Sequence, residues 1–131
     1  MTAGIDRQAR TLLAKAAEDE AVLRLSGVPD GPFGFHVQQA IEKLFKALLC
    51  QLNVDYKYTH DLDELIILLN SAGEIPPDAL VDFSRIGTYA VTQRYDDVPE
   101  FYVLDRADAA TAVRLIREYV TARIAALSAA P

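Results

Sequence analysis

The chain has 131 residues, of which 51% are hydrophobic and 24% are charged, a balance typical of one globular domain rather than of a disordered chain. The formal net charge is −6, so the chain as a whole has no broad positive field that would attract nucleic acid or an anionic membrane. Any polyanion must therefore bind at a local site. We treat residues 1–131 as a single domain.

The N-terminal stretch MTAGIDRQAR carries charges where a secretory signal would be apolar, and no apolar run reaches the ~18 residues that a membrane span needs. We therefore expect a cytoplasmic protein without membrane contact. The single cysteine, Cys50, cannot form a disulfide within the chain and has no second thiol with which to build a metal site. No metal ion and no cofactor are expected.

Apolar periodicity predicts helices from the start of the chain. The first runs from Ile5 to about Leu25 and is followed by the turn-forming residues 29–32, with the sequence Pro-Asp-Gly-Pro, which we predict to be a loop. The second runs from about Phe33 to Asn53 and is the longest strongly periodic segment.

Three further helices are predicted. The third begins at Asp61, which is followed three residues later by Glu64 in the spacing of a capping box, and it ends at residues 71–73. The fourth covers 76–94 and the fifth covers about 105–127. No segment alternates apolar and polar residues long enough to predict a strand. The predicted fold is therefore all-α, an antiparallel up-and-down bundle of about five helices.

The second predicted helix carries four polar side chains in one line, at spacings of three, four and three, opposite its apolar arc. We call this line the polar row. Its members are His36, Gln39, Lys43 and Lys46. Two interpretations stay open: the row is a solvated helix face, or its cations, amide and imidazole form a shallow anion site suited to phosphate.

Two polar residues of the same helix fall outside the row. Gln38 projects within the apolar arc, and Glu42 lies one turn away at the edge of that arc. A buried amide without partners costs roughly 1–3 kcal/mol, so we expect Gln38 to be hydrogen-bonded, within the bundle or at a partner interface. Gln38, Glu42 and the helix-capping Asp61 are therefore predicted to be structural polar residues.

Further ligand candidates lie later in the chain. His60 precedes a helix start, where backbone N–H groups favour an anion, although capping by Asp61 already satisfies part of that potential. In the fourth predicted helix Arg85 and Arg94 could supply cations and Tyr95 could face a ligand. Arg94 and Tyr95 have an equally good structural explanation, since an arginine stabilises a helix C-terminus and a tyrosine covers a core.

Three segments together resemble one known family. They are FHVQQAIEKLFKALL at 35–49, YTHDLDELIILL at 58–69 and TQRYDD at 92–97. These segments resemble the HEPN domain, an all-α module. The positions of the second helix that match the family pattern are Phe35, His36, Gln38, Gln39, Ala40, Glu42, Lys43, Lys46, Ala47 and Leu48. The resemblance extends from about residue 10 to residue 125.

The resemblance implies a homodimer that binds nucleotides or RNA in a cleft near the dimer axis. Many HEPN proteins are encoded beside a minimal nucleotidyltransferase, with which they form toxin–antitoxin-like pairs, so such a partner protein is expected here as well. Several are metal-independent endoribonucleases, whose signature is an arginine followed, after four to six intervening residues, by a histidine. Neither His36 nor His60 follows an arginine at that distance.

We therefore assign no catalytic residue and favour a nucleotide- or RNA-binding module. An endoribonuclease toxin with a displaced active site and a non-catalytic dimerising scaffold are the alternatives. Other classes lack their motifs: the chain has no Glu-x-x-His pair for a di-iron bundle, no basic recognition helix that would read DNA, and no Gly-rich phosphate loop.

Overall fold

The computed structural model describes residues 4–77 and 105–129. Within these ranges the chain forms four α-helices and no strand, which confirms the all-α class. The helices are α1 (Arg7–Leu23), α2 (Asp30–Gln51), α3 (Leu62–Ser71) and α4 (Arg106–Ser128). Helix α4 corresponds to the fifth predicted helix. The fourth predicted helix lies outside the described residues from position 78 onward.

Helix α2 begins three residues earlier than predicted, at Asp30, so the prediction of a loop over 29–32 is wrong. Pro29 is the N-cap, and its carbonyl accepts the N–H of Phe33 at 3.0 Å. Pro32 falls in the first turn, where a helical N–H has no partner within the helix and a proline is therefore tolerated. The two prolines thus start the helix rather than separate it from a loop.

Helices α2 and α3 end in the same way. After α2, Asn53 has φ 58°, and the N–H of Val54 donates to the Leu49 carbonyl at 2.9 Å. After α3, Gly73 has φ 89°, and the N–H of Glu74 donates to the Leu69 carbonyl at 2.9 Å. Both are Schellman motifs, in which a residue with positive φ turns the chain back on the helix end.

Helix α2 lies at the centre of the core and packs against the other three described helices. Its predicted apolar arc is buried as expected. The largest fully buried side chains of α2 are Val37, Ile41, Leu44, Phe45, Leu48 and Leu49, and they meet Leu65, Leu69, Ile116, Val120 and Ile124 of α3 and α4. Helix α1 contributes the small residues Ala9 and Ala16 to this core, which lets its backbone approach α2 closely.

Hydrogen bonds give the relative directions of the elements. The N–H of Asp6, before α1, donates to the Gln51 side chain at the end of α2 at 2.8 Å, so these two helices run antiparallel. The segment 52–61 runs back along α2, since the carbonyl of His60 accepts from Gln38 at 2.8 Å. Helix α3 therefore starts beside the middle of α2, where His60 contacts Gln38 and Glu42, rather than at the C-terminal end of α2. None of the described helices combines the length and the apolar character needed to cross a membrane.

Candidate functional site

The polar row lies along the boundary between α1 and α2 and is half-buried rather than freely solvated. The exposed fractions of the side chains are 28% for His36, 24% for Lys43 and 12% for Lys46. Such burial of two lysines requires nearby acceptors, because an ammonium group loses much of its hydration there.

The first of these acceptors is Asp19, on the inner face of α1. Its carboxylate is buried, with the residue 6% exposed. One oxygen lies 2.7 Å from Nδ1 of His36, and the other accepts from Nζ of Lys43 at 2.6 Å. Asp19 therefore joins α1 to two members of the polar row.

The second acceptor is Glu42, on α2 itself, which is 4% exposed. It accepts from Nζ of Lys46 at 2.8 Å, one turn further along the helix. Nδ1 of His60 lies 3.0 Å from each carboxylate oxygen, while the rest of this imidazole is exposed. Glu42 thus brings together a lysine of α2 and a histidine that precedes α3.

Gln38 completes this second group, and its expected hydrogen bonds are made within the chain. Its Nε2 donates to Glu42 at 3.0 Å and to the carbonyl of His60 at 2.8 Å. Its Oε1 accepts from the Gln39 side chain at 2.9 Å. Over the described residues every buried side-chain nitrogen and oxygen has a hydrogen-bond partner.

The two groups, which we together call the polar cluster, have a balanced charge. Two buried carboxylates face two lysines and two imidazoles, so the formal charge is zero with neutral imidazoles and +2 when both are protonated. Each imidazole turns Nδ1 toward a carboxylate, an arrangement that makes Nδ1 the protonated nitrogen and Nε2 the acceptor of the neutral ring. The lysines keep further N–H donors, because an ammonium group has three.

A cleft of about 450 Å³ adjoins the cluster at Lys46. It lies between the start of α1, the end of α2 and the segment that follows α2. The described residues that line it are Asp6, Gln8, Leu12, Lys46, Cys50, Asn53, Val54, Asp55, Tyr56 and Tyr58. The cleft therefore combines two aromatic rings, two carboxylates, two amides and one cation.

Tyr56 and Cys50 form the inner wall of this cleft. The ammonium of Lys46 lies 5.4 Å from the centre of the Tyr56 ring, a cation–π contact, and the Tyr56 hydroxyl lies 3.7 Å from Sγ of Cys50. Burial and then the hydrogen bond to Cys50 raise the pKa of Tyr56 to about 12. Burial also raises the pKa of the Cys50 thiol. Both groups therefore stay protonated at neutral pH, and Cys50 is not an activated nucleophile.

The structure brings together most of the predicted site residues. Two of them, His36 and Lys43, bind Asp19. Gln38, Gln39, Lys46 and His60 form the hydrogen-bonded group around Glu42. Arg85, Arg94 and Tyr95 lie outside the described residues. No group of three or more potential metal ligands occurs in the described part of the chain.

Asp61 is the N-cap of α3, but the capping box predicted with Glu64 is not formed. The Asp61 side chain accepts from the N–H of Asp63 at 2.9 Å. The N–H of Asp61 itself donates to the Thr59 hydroxyl at 3.0 Å, so Glu64 is not needed as its acceptor.

Sequence reasoning missed Asp19 and the tyrosines of the cleft. Asp19 lies ten and three residues along α1 from the buried Ala9 and Ala16, so helical spacing could have placed it on the inner helix face as a buried acid that needs cations. Nothing in the spacing of Tyr56 and Tyr58 indicates a cleft, because their position depends on the path of segment 52–61 beside α2.

The order of elements, the central α2 and its polar cluster can now be compared with known proteins. A sequence model described as the HEPN domain matches residues 9–124. The chain belongs to the HEPN domain family. Comparison with curated proteins and with solved structures returns no significant match. The match covers nearly all of α1 to α4, so it includes the whole cluster and every lining residue of the cleft except Asp6 and Gln8.

Proposed function

We propose that this HEPN domain binds nucleotides, free or as units of an RNA strand, along the polar row. The observation that carries the proposal is that two buried carboxylates, Asp19 and Glu42, hold two lysines and two histidines at the edge of α2. Each of these cationic or basic groups keeps at least one donor or nitrogen beyond the one bound to a carboxylate.

The carboxylates prepare the site for a phosphate rather than block it. Immobilising a long side chain on binding costs about 0.5–1.5 kcal/mol, and Lys43 and Lys46 are already held in place by their carboxylates. Phosphate oxygens form charge-assisted hydrogen bonds, which are roughly twice as strong as neutral ones. Because its charge is balanced, the cluster repels a phosphate less than the average surface of a chain of net charge −6 does.

The experiment is a titration of the ¹⁵N-labelled protein with AMP, ATP and a short single-stranded RNA, followed by NMR. The test variant is the double substitution Asp19→Asn with Lys43→Met, which removes a cation without leaving a buried carboxylate unpaired. The matched control is Arg114→Met with Glu118→Gln, an exposed ion pair of 3.1 Å on α4. Both pairs of substitutions preserve net charge.

We expect saturable shifts at His36, Lys43 and Lys46 in the unmodified protein and in the control. The test variant should bind RNA about tenfold more weakly, as expected for the loss of one charge-assisted hydrogen bond. Equal affinity in all three proteins would contradict phosphate binding along the row.

A second candidate, endoribonuclease activity, is favoured by one observation. Asp19 holds the imidazole of His36 and the ammonium of Lys43 on its two oxygens, so a proton acceptor and a cation lie close together. Metal-independent cleavage by the 2′-hydroxyl of RNA needs these two groups. Cleavage in the presence of EDTA that is lost in His36→Gln would support this candidate, and intact RNA would leave binding alone.

We also propose that the HEPN domain forms a homodimer and pairs with a nucleotidyltransferase. Support for both comes from membership of the family. Light scattering of the purified protein tests the first, and co-expression with a nucleotidyltransferase encoded beside it tests the second. If the protein is monomeric at all concentrations, the homodimer proposal is wrong. The proposed binding site is unaffected, because its residues all belong to one chain.

A further inference from the structure

The cleft beside Lys46 has the size and the chemistry of a ligand site in its own right. Its volume of about 450 Å³ falls within the range of small-molecule pockets. Its floor is built by the Schellman motif at the end of α2, where Asn53 has φ 58° and Val54 turns back toward the helix. The floor is therefore a fixed part of the fold.

The two aromatic residues of the cleft differ in a way that points to a ligand. Tyr56 is half-buried and held by Lys46 and Cys50. Tyr58 is fully exposed, although it is a large aromatic residue in a lining that also contains the apolar Leu12 and Val54. A tyrosine ring of this kind offers one face on which a nucleobase stacks, whatever its sequence.

The charges of the cleft restrict what else the ligand can carry. Lys46 is the one cation among the described lining residues, whereas Asp6 and Asp55 carry negative charge. The cleft also lies at the C-terminal end of α2, where the helix dipole is negative. These negative charges repel a chain of several phosphates, whereas a single phosphate can accept the N–H donors of Lys46 that are not bound to Glu42.

We propose that this cleft binds the base and ribose of one nucleoside monophosphate unit, free or within RNA, with its phosphate at Lys46. The base stacks on Tyr58, and the carboxylates of Asp6 and Asp55 accept N–H groups. An exocyclic amino group, which adenine, cytosine and guanine carry, offers two N–H donors to the two carboxylates, whereas uracil offers only its ring N3–H, so the cleft favours amino-bearing bases. This inference rests on the proposed function, because Lys46 belongs to both the polar row and the cleft.

The test is an NMR titration of the full chain with AMP, CMP, GMP, UMP and ATP. We expect AMP, CMP and GMP to shift the amides of Val54, Tyr56 and Tyr58, with UMP about tenfold weaker. ATP should bind no more tightly than AMP. Tyr58→Phe should keep AMP affinity and Tyr58→Ala should lower it about tenfold, and neither should affect folding because the side chain is fully exposed.

Three results would overturn the inference: equal binding of UMP and AMP, ATP binding far more tightly than AMP, or no effect of Tyr58→Ala. Shifts at the same amides with spermidine but not with AMP would assign the cleft to a cation and also overturn it. In each case, RNA-dependent shifts at His36 and Lys43 would leave the proposed function intact. Absence of both sets of shifts would reject the two proposals together.

Discussion

Among the residues that the structure describes, buried carboxylates occur in two regions, and their hydrogen-bond partners differ. Asp19 and Glu42 bind lysines and histidines in the polar cluster. Glu74, which follows α3 and is 4% exposed, instead accepts from the Tyr119 hydroxyl at 2.7 Å and from two nitrogens of Arg123 at 2.8 and 3.0 Å. Under the proposed function, Asp19 and Glu42 position side chains for a ligand, whereas Glu74 stabilises the fold.

At Glu74 the geometry is closed. The guanidinium of Arg123 grips both carboxylate oxygens in a fork, and the Tyr119 hydroxyl also accepts the N–H of Ile75 at 2.9 Å. These bonds join the end of α3 to α4. In the polar cluster each lysine and imidazole contacts its carboxylate through one nitrogen and keeps further N–H groups or a second nitrogen, and the amide of Gln38 also donates to Glu42. The partner's remaining donors, more than the burial of the acid, distinguish the two roles.

The largest expected effect follows from removing the charge at Glu74. Glu74→Gln should lower the free energy of unfolding by about 2 kcal/mol, because two charge-assisted hydrogen bonds between α3 and α4 are weakened. RNA binding should be unchanged. Urea denaturation and the RNA titration measure the two quantities on the same protein. A variant as stable as the original would show that Glu74 does not stabilise the fold, and the proposed difference between the Glu74 region and the polar cluster would be wrong.

The pH dependence of that effect sharpens the contrast. The hydrogen bond from Arg123, and after it that from Tyr119, holds the pKa of Glu74 below its ordinary value of 4.5. A carboxyl with a lowered pKa in the folded state stabilises the fold above its unfolded-state pKa, and this stabilisation is lost as pH falls through the folded-state pKa. The stability gap between the original protein and Glu74→Gln should therefore be complete at pH 7 and shrink below about pH 4.5. A gap that is constant from pH 7 to pH 3 would contradict the assignment.

The salt dependence of RNA binding tests the polar cluster. If the two lysines of the polar row contact two phosphates of single-stranded RNA, the logarithm of the binding constant should fall with the logarithm of salt concentration at a slope of about −1.4. In the double variant Asp19→Asn with Lys43→Met the slope should decrease in size to about −0.7. Fluorescence anisotropy over a series of salt concentrations measures both slopes. A slope near zero in the original protein would show that the lysines are used only within the fold, as Arg123 is.

The sequence alone predicted the features that depend on residue spacing within a single helix. The apolar arc of α2, the single line of His36, Gln39, Lys43 and Lys46, and the inward position of Gln38 all follow from helical spacing. The family resemblance, which the match over residues 9–124 confirms, added the expectation of a ligand.

What the sequence could not provide depends on contacts between elements. Asp19 contacts His36 and Lys43 only because α1 packs against α2. These residues lie 17 and 24 positions after Asp19, and helical periodicity cannot predict contacts between residues of different helices. The contact of His60 with Glu42 requires segment 52–61 to run back along α2. Helical periodicity does not indicate the path of that segment, so the cleft was not foreseen.

The smallest expected effect compares the two helix ends that carry these regions. Asn53 and Gly73 occupy the same position of the same motif, at φ 58° and φ 89°. Glycine adopts positive φ without steric cost, asparagine adopts it at a small cost, and alanine at a cost of about 1 kcal/mol. Asn53→Ala and Gly73→Ala should therefore each lower the free energy of unfolding by about 1 kcal/mol, whereas Asn53→Gly should preserve it within a few tenths of a kcal/mol.

A glycine at position 53 would therefore stabilise the helix end as well as asparagine does. Stability alone does not explain the amide side chain of Asn53. The Asn53 side chain lines the cleft, whereas glycine at position 73 leaves no side chain beside the Glu74 region. We therefore expect Asn53→Gly to weaken AMP binding severalfold, the loss of about one neutral hydrogen bond, with unfolding unchanged. Urea denaturation and an AMP titration on this one variant decide the matter: unchanged AMP affinity would make Asn53 a helix terminator and nothing more, equivalent to Gly73.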